Sequence, residues 1–245
     1  MTGWSIVTPV KRLGQAKSRL RATLPASAAL FTYTASGPDP LGALDPPGEP
    51  DDWHADVALA MALDTVAAVL ATPAVDRVVV VTDDRVAVAA LSALGAVCVP
   101  DTPRSGLNSA LRHGAAMAAL LTGSDGRGGH GTAALGADLP ALRGAHLDAV
   151  LRAVERMGVR GFVPDVAGTG TTLLAAPRGV PLEPAYGPGS ALLHARAGAV
   201  DLTAAGEVGA SLRQDVDTAA DLDAARVLGL GPRTTALFGP VRCAC

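Results

Sequence analysis

Four basic side chains lie close together near the start of the chain. An apolar run, residues 4–10, ends there, and the next nine residues contain Lys11, Arg12, Lys17 and Arg19. Lysine and arginine neutralise phosphate charge directly, and arginine can do so through two parallel hydrogen bonds. The phosphate-binding pattern GxxxxGK(S/T) is absent from the sequence, so these long side chains would have to reach a polyphosphate themselves. The alternative interpretation is a solvated basic turn.

Acidic side chains suited to a metal ion occur at two later points. Asp138 lies within ALGADLPAL, residues 134–142, and Asp217 follows Asp215 in RQDVDTAADL, residues 213–222. Magnesium in nucleotide sites takes one or two carboxylates, with phosphate oxygens and water as its other ligands. Asp138 and Asp217 are therefore the candidate magnesium ligands. Each could instead cap a helix, because aspartate is a favoured N-cap residue.

Two glycine-rich stretches combine backbone freedom with hydroxyl groups. They are VPDVAGTGTTLLAAP, residues 163–177, and YGPGSALLHARAGA, residues 186–199. Glycine lets the backbone approach a ligand closely, and a Gly-Pro-Gly-Ser turn at the start of a helix presents free N–H groups to an anion. The alternative is a pair of ordinary tight turns. His194, on the helix predicted within the second stretch, is assigned no catalytic role.

The elements that would position these residues alternate between strand and helix. Strands are predicted at residues 4–10, 77–82, 96–99, 132–136, 161–163, 171–176 and 212–216. Helices are predicted at residues 54–70, 107–121, 140–157, 189–197 and 218–228, and from a cap at Asp83 or Asp84 to Leu94. This alternation predicts an α/β fold with a mostly parallel sheet and helices on both faces. The polar motifs follow strands, at the edge where such sheets bind ligands.

Composition limits the classes of function. The formal net charge is −3 and the pI is about 5.9, which argues against a nucleic-acid-binding surface. No run of about 18 apolar residues and no signal peptide are recognised, so no membrane association is predicted and the expected location is the cytoplasm. One domain is expected over residues 1–229, with a loop insertion at about 25–53. Residues 230–245, which include Cys243 and Cys245, are read as a tail.

Taken in order, six motifs resemble one family. They are TPVKRLGQAKSRL, SGLNSALRHG, GADLPAL, VPDVAGTGTTLL, YGPGSALLHA and LRQDVDTAADL, which lie between residues 8 and 222. The chain is similar through them to the phosphoenolpyruvate or 2-phospho-L-lactate guanylyltransferases of coenzyme F420 biosynthesis. These enzymes are a branch of the molybdopterin-guanylyltransferase-like nucleotidyltransferases. The resemblance implies a single-domain Rossmann-like nucleotidyltransferase fold.

The resemblance also implies a reaction. GMP would pass from GTP to the phosphate of a small three-carbon acid, phosphoenolpyruvate or 2-phospho-L-lactate, with release of pyrophosphate and with Mg²⁺ as the cofactor. The product would be handed to the next enzyme of F420 biosynthesis. A homodimer is compatible with the resemblance, and neither nucleic acid nor membrane is an expected partner.

Residue roles follow as hypotheses from the resemblance and the chemistry together. We expect three cations, Lys11, Lys17 and Arg19, to neutralise the triphosphate. Asn108 would join Lys11 in binding the nucleotide, through the guanosine. Asp138 and Asp217 would hold magnesium. The acceptor's phosphate and carboxylate would be bound by Thr172, Gly187 and Ser190. Asp165 would organise the glycine loop or the water around the metal.

Three alternatives stay open on the sequence. The acceptor could be 3-phosphoglycerate, since it shares a phosphate and a carboxylate with the other two. It could be a molybdenum cofactor, although that branch resembles a glycine-rich first loop where this chain has Thr8-Pro9-Val10-Lys11. The chain could also be a nucleotide-binding relative without catalysis.

Overall fold

The structure is a computed structural model, and it describes residues 3–23, 53–102, 104–123, 129–206 and 208–238. The predicted insertion at residues 25–53, apart from Trp53, therefore lies outside the described residues. Cys243 and Cys245 also lie outside them.

Within these residues, seven strands form one sheet. They are β1 (Trp4–Pro9), β2 (Val75–Val81), β3 (Val97–Val99), β4 (Gly131–Leu135), β5 (Gly161–Pro164), β6 (Thr171–Ala176) and β7 (Val200–Asp201). Their order across the sheet is β3-β2-β1-β4-β6-β5-β7. The pairs β1–β2, β1–β4, β2–β3 and β5–β7 are parallel, and β6 runs antiparallel to both β4 and β5.

Helices cover both faces of this sheet. They are α1 (Ser18–Thr23), α2 (Trp53–Leu70), α3 (Arg85–Ala93), α4 (Leu107–Gly123), α5 (Gly144–Met157), α6 (Ser190–Arg196), α7 (Ala219–Leu228) and α8 (Pro232–Phe238). Successive strand residues point to opposite faces, so Ile6 packs in one core cluster and Val7 in another. Leu63 of α2 belongs to the first cluster and Leu111 of α4 to the second. The predicted α/β fold class is confirmed.

The reversed strand β6 brings the polar motifs to one edge. Because β6 is antiparallel to β4, Leu135 at the end of β4 pairs with Leu173 near the start of β6. The turn between β5 and β6 therefore lies at the same edge as the carboxyl ends of β1 and β4. The basic segment, Asp138 and the first glycine stretch consequently share that edge of the sheet.

The predicted strand at residues 212–216 is wrong. A short 3-10 turn, Ala210–Leu212, occupies its start, and residues 213–216 pair with no strand in the part of the chain that the structure describes. Leu212 and Val216 are fully buried, so packing rather than sheet pairing explains the apolar residues at the two ends of this segment. The sequence pattern also missed β7, which is only two residues long.

Helix α8 lies within the segment that the sequence analysis assigned to a tail. Phe238 meets Trp53 edge-on, with ring centroids 5.7 Å apart. The buried carboxylate of Asp64 on α2 accepts the backbone N–H groups of Arg233 and Thr234, at 3.1 and 2.7 Å. These bonds satisfy the free donors at the start of a helix. Residues 232–238 thus pack on the domain.

Within the described residues, α2 is a candidate membrane span by length and composition, which the sequence analysis did not anticipate. Its apolar window is 61% buried inside the protein, and Leu63 and Val66 lie in the core. The helix lacks a polar face because the sheet, α5 and α8 surround it.

Candidate active site

A cleft of about 780 Å³ opens at the edge of the sheet where the polar motifs meet. Every predicted site residue except Asn108 lines it: Lys11, Lys17, Arg19, Asp138, Asp165, Thr172, Gly187, Ser190 and Asp217. We call the part formed by Lys11, Lys17, Arg19, Asp138 and Asp217 the charged half. We call the part formed by Thr171, Gly187 and Ser190 the neutral half.

Lys17 bridges the two candidate magnesium ligands. Its Nζ lies 2.7 Å from Asp138 Oδ2 and 3.1 Å from Asp217 Oδ1. The Lys17 side chain is only 10% exposed. Burial alone would lower the pKa of Lys17, but the two carboxylates outweigh that effect and the pKa is raised. Lys17 is therefore an ammonium ion held between two carboxylates.

The basic segment is anchored through its backbone. The Leu13 N–H donates to Asp84 Oδ2 at 3.0 Å, and the other oxygen of Asp84 caps α3 by accepting the N–H groups of Val86 and Ala87. Lys17 itself has a φ of 58°, a left-handed conformation that is unfavourable for a residue with a Cβ. The fold thus holds an unfavourable backbone conformation at Lys17, whose side chain contacts Asp138 and Asp217.

Neither candidate metal ligand is a helix cap. The N-cap of α5 is Arg143, and that of α7 is Thr218, which forms a capping box with Asp221. The alternative interpretation of Asp138 and Asp217 as N-caps is therefore wrong. A backbone hydrogen bond of 3.0 Å from Val216 N to Asp138 O holds the two acidic segments together.

Two further acids border the charged half. Burial, followed by the negative charges of Asp138, Asp217 and Asp165, raises the pKa of Asp215 to about 7. Asp165 accepts the N–H groups of Thr169 and Gly170, both at 2.9 Å, so it organises the glycine loop. The accumulated negative potential favours a cation at this place.

The donor chemistry of the charged half fits magnesium. Asp138 and Asp217 already direct carboxylate oxygens at one cationic group, and Mg²⁺ prefers oxygen ligands. In the described ranges, no three His, Cys, Asp or Glu side chains come together as a complete metal site. A magnesium ion would therefore take its other ligands from substrate phosphates and water.

The remaining cations of the charged half are open to solvent. Arg19 is 81% exposed, and its Nη1 lies 3.9 Å from Asp217 Oδ2. Lys11 is also exposed and lines the cleft next to β1. Long exposed side chains can adjust to a bound polyphosphate. The structure thus brings the predicted cations to the same cleft.

In the neutral half, Thr171 rather than Thr172 presents its hydroxyl. Thr172 is buried, and its Oγ1 lies 2.7 Å from Leu212 O, to which it donates. Side chains alternate along β6, so Thr171 points the other way. Its Oγ1 lies 3.1 Å from Ser190 Oγ and 3.0 Å from His194 Nδ1. The predicted contact between the Thr172 hydroxyl and the acceptor does not match this geometry.

Asn108 has a structural partner. Its Nδ2 donates to Tyr186 O at 2.9 Å, and its Oδ1 accepts Tyr186 N–H at 2.7 Å. Both polar ends of the amide are thereby engaged, and Asn108 does not line the cleft. We therefore do not assign Asn108 a contact with the guanosine. Asn108 instead ties the start of α4 to the residue before Gly187.

Sequence reasoning did not assign roles to Thr171 and His194. One signal for His194 was available, because it lies four residues after Ser190 and residues at that spacing share one face of a helix. The choice between Thr171 and Thr172 had no comparable signal. It depends on which face of β6 points to the cleft, and adjacent threonines offer the same chemistry.

Comparison with known proteins places these observations in a family context. Residues 55–206 match the MobA-like NTP transferase domain. The chain is 49% identical over 237 residues to a phosphoenolpyruvate guanylyltransferase of Salinispora arenicola, covering 96% of this chain and 94% of that protein. It is 48% identical to the protein of the same name from Geodermatophilus obscurus, with coverages of 96% and 94%.

Solved structures share the fold at low identity. A protein of Desulfovibrio desulfuricans G20, described as a nucleotide-diphospho-sugar transferase, superposes with a TM-score of 0.55 at 15% identity, covering 91% of this chain and 86% of its own. A nucleotidyl transferase of Methanothermobacter thermautotroptrophicus gives 0.50 at 20% identity, with coverages of 93% and 97%. These similarities concern the fold alone.

Proposed function

This chain belongs to the MobA-like NTP transferase family and, within it, to the phosphoenolpyruvate guanylyltransferases, and on that basis we propose that it transfers GMP from GTP to the phosphate of phosphoenolpyruvate, releasing pyrophosphate. The observation that carries the proposal is the bridge from Lys17 to Asp138 and Asp217, in the same cleft as the hydroxyls of the neutral half. One cleft thus offers cations for a triphosphate and donors for a small anion.

The chemistry needs positioning more than proton transfer. A phosphate oxygen of the acceptor attacks the α-phosphorus of GTP, forming a P–O bond. The bond from that phosphorus to the bridging oxygen of the β-phosphate breaks, and its electron pair leaves with pyrophosphate. The attacking phosphate is ionised at neutral pH, so no general base is required. Charge neutralisation and alignment then supply most of the rate.

In the charged half, we assign charge neutralisation to Lys11, Lys17 and Arg19. They would reduce repulsion between the two substrates' phosphates and stabilise the negative charge that develops on pyrophosphate. Asp138 and Asp217 would hold Mg²⁺, which when bound supplies a positive charge to the triphosphate oxygens. The close pairing of Lys17 with both acids supports this assignment, since the same carboxylates already stabilise a cation.

In the neutral half, we assign acceptor binding to Thr171, Gly187 and Ser190. Gly187 has a φ of 136°, which a residue with a side chain rarely adopts. Two hydroxyls and an accessible backbone suit a small phosphorylated carboxylic acid. Thr172 contributes here through the packing of β6, because its hydroxyl bonds to Leu212 O.

The physiological setting is part of the proposal. We place the reaction in coenzyme F420 biosynthesis in the cytoplasm, with the product consumed by the next enzyme of that route. The near full-length similarity to phosphoenolpyruvate guanylyltransferases supports phosphoenolpyruvate over the two other acceptors.

The test is pyrophosphate release from GTP and Mg²⁺, with phosphoenolpyruvate, 2-phospho-L-lactate and 3-phosphoglycerate offered in parallel. We expect release with phosphoenolpyruvate at the lowest acceptor concentration. Release with another acceptor only would keep the reaction class and change the substrate. GTP binding by folded protein without release for any acceptor, including a molybdenum cofactor, would favour a non-catalytic relative.

A further inference from the structure

His194 is a buried histidine with a protein partner on each ring nitrogen. It is 1% exposed. Its Nε2 lies 3.0 Å from Ala185 N, and its Nδ1 lies 3.0 Å from Thr171 Oγ1. The ring therefore connects the backbone just before Gly187 to a hydroxyl that lines the cleft.

The backbone partner determines the tautomer of the ring. A backbone N–H can only donate, so the N–H of Ala185 requires an unprotonated Nε2 that accepts. A neutral imidazole carries its single N–H on the other nitrogen. His194 Nδ1 must then be protonated, and it donates to Thr171 Oγ1.

The surroundings keep the ring neutral. Burial, with a smaller contribution from the Arg160 guanidinium, lowers the pKa of His194 to about 4. The Tyr186 ring packs edge-on at 5.2 Å between centroids and the Phe162 ring at 6.0 Å. The Tyr186 hydroxyl points away and donates to Ala134 O at 2.9 Å. Near neutral pH, only the Nδ1–H tautomer satisfies both contacts.

The number of hydroxyl protons shows how the Nδ1–H tautomer of His194 affects the cleft. Thr171 and Ser190 have two hydroxyl protons between them, and one hydroxyl bond of 3.1 Å joins their oxygens. Because Thr171 Oγ1 accepts from His194, neither hydroxyl proton is needed for the ring. One proton forms the bond between the two hydroxyls, and the other stays available to a group bound in the cleft, which both residues line. This holds whichever of the two hydroxyls donates to the other.

We propose that His194 is a positioning residue that sets the direction of this hydrogen-bond chain, so that the pair Thr171–Ser190 presents an O–H donor to an anionic group of the acceptor. The inference rests on the proposed function, because it concerns the acceptor's binding site. A histidine that merely filled the core would make no difference to the direction of the hydroxyls. A positioning role and a space-filling role therefore differ in one respect: only the first makes acceptor binding depend on an N–H donor at Nδ1.

The variants separate a donor from a filler. His194→Asn places an amide N–H close to the Nδ1 position, whereas His194→Leu fills similar space without a donor. We expect His194→Leu to raise the acceptor KM about tenfold, the effect of weakening one hydrogen bond to a charged group, with the KM for GTP within twofold. His194→Asn should bring the acceptor KM back to within about threefold of wild type.

Thr171→Val tests whether His194 acts through the hydroxyl. The valine keeps the shape of threonine and removes the O–H group. In the Thr171→Val background, His194→Leu should add less than about twofold to the acceptor KM, because coupled residues are not additive. His146→Leu is the matched control, since His146 Nδ1 lies 2.8 Å from Ser211 Oγ outside the cleft. It should leave the acceptor KM unchanged.

The outcomes distinguish failure of the positioning role from failure of the proposed function. Equal acceptor KM values for His194→Leu and wild type, or equal values for His194→Leu and His194→Asn, would overturn the positioning role. Full additivity with Thr171→Val would do the same. If His194→Leu does not fold, a wild-type acceptor KM in Thr171→Val overturns it instead. A wild type that releases no pyrophosphate with any acceptor removes the proposed function itself.

Discussion

The charged half of the cleft is assembled across the length of the chain, whereas the neutral half is a local structure. Lys17 lies 121 residues from Asp138 and 200 residues from Asp217. Thr171 lies 19 residues from Ser190 and 23 from His194. The first set depends on the whole fold for its alignment. The second depends on β6, α6 and the loop of residues 177–189 between them, which Asn108 of α4 anchors at Tyr186.

The two halves also differ in how their groups are held. Arg19 is largely exposed and Asp217 is half-exposed, so these charges keep freedom to adapt to a polyphosphate. Ser190 and His194 are 1% exposed, and their bonds are already made. This contrast suits a large flexible nucleotide on one side and a small rigid acid on the other. Mutations should therefore act mainly on turnover in the charged half and on acceptor affinity in the neutral half.

The largest effect is expected from Asp138→Ala. Losing one charged contact at the reacting phosphates corresponds to about 2.7–4 kcal/mol of transition-state stabilisation, so kcat should fall at least about 100-fold. Steady-state pyrophosphate release measures this, with circular dichroism to check the fold. Asp223→Ala, which removes a 73% exposed carboxylate on α7, is the control. Near-normal turnover in Asp138→Ala would remove this residue from the metal assignment.

Lys17→Met should have the next largest effect. Removing a hydrogen-bonded ammonium corresponds to about 2 kcal/mol, or about 30-fold in kcat. The variant also leaves Asp138 and Asp217 without their bridging cation, so added Mg²⁺ should raise its melting temperature more than that of wild type. Thermal unfolding with and without Mg²⁺ measures this. Equal shifts for the two proteins would show that Lys17 and the metal do not share these carboxylates.

In the neutral half, His194 should make the free energy of unfolding depend on pH. The pKa of His194 is about 4 in the folded protein and about 6.5 when unfolded. The unfolded chain therefore binds the proton more readily, and stability from the neutral ring is complete above about pH 6.5 and lost as the pH falls towards 4. Between about pH 7 and 5 the loss is about 2 kcal/mol.

Chemical denaturation of wild type and His194→Asn at the two pH values isolates this contribution. The carboxylates are common to both proteins, so the difference between them reports on the imidazole. The charge that acts on the ring comes from Arg160, the residue directly before β5. The Tyr186 hydroxyl stays neutral because burial raises its pKa. The same loss in both proteins would contradict a neutral buried His194.

Asn108→Ala should have the smallest effect. It removes two hydrogen bonds to the Tyr186 backbone, and we expect a loss of about 1 kcal/mol in unfolding free energy. The acceptor KM should rise a few-fold because the turn before Gly187 loosens, while the KM for GTP stays constant. Kinetics with each substrate varied in turn measure the two constants. A selective rise in the KM for GTP would instead restore the guanosine contact predicted from sequence.

The sequence could predict the fold class because alternating apolar strands and helices leave few architectures. It failed at residues 212–216, where burial imitates a strand without sheet pairing. It could place Lys17 and Asp138 at one edge, since each follows a strand that ends there, whereas Asp217 was assigned to that edge through a strand that the structure does not contain. It could not predict that the lysine bridges both acids, because that contact depends on the packing of distant segments.

The direction of the side chains was the second feature that the sequence could not predict. Thr172 and Asn108 were selected for chemistry that their polar groups could perform, but both groups bond to backbone atoms. A strand offers its two faces to adjacent residues, and nothing in a Thr-Thr pair says which residue faces the ligand. The i, i+4 relation of Ser190 and His194 was visible, although the acceptor role of Nε2 required the position of Ala185.

The backbone bond between Val216 and Asp138 has a consequence for the order of events during synthesis. Among the described residues, the seven strands end by Asp201, so these strands leave the ribosome before Asp217 does. Segments emerging first can begin to fold first. The sheet would then exist for a time with only one of the two proposed metal ligands. On this assignment, catalytic competence would arise late, when the segment around Val216 docks beside Asp138.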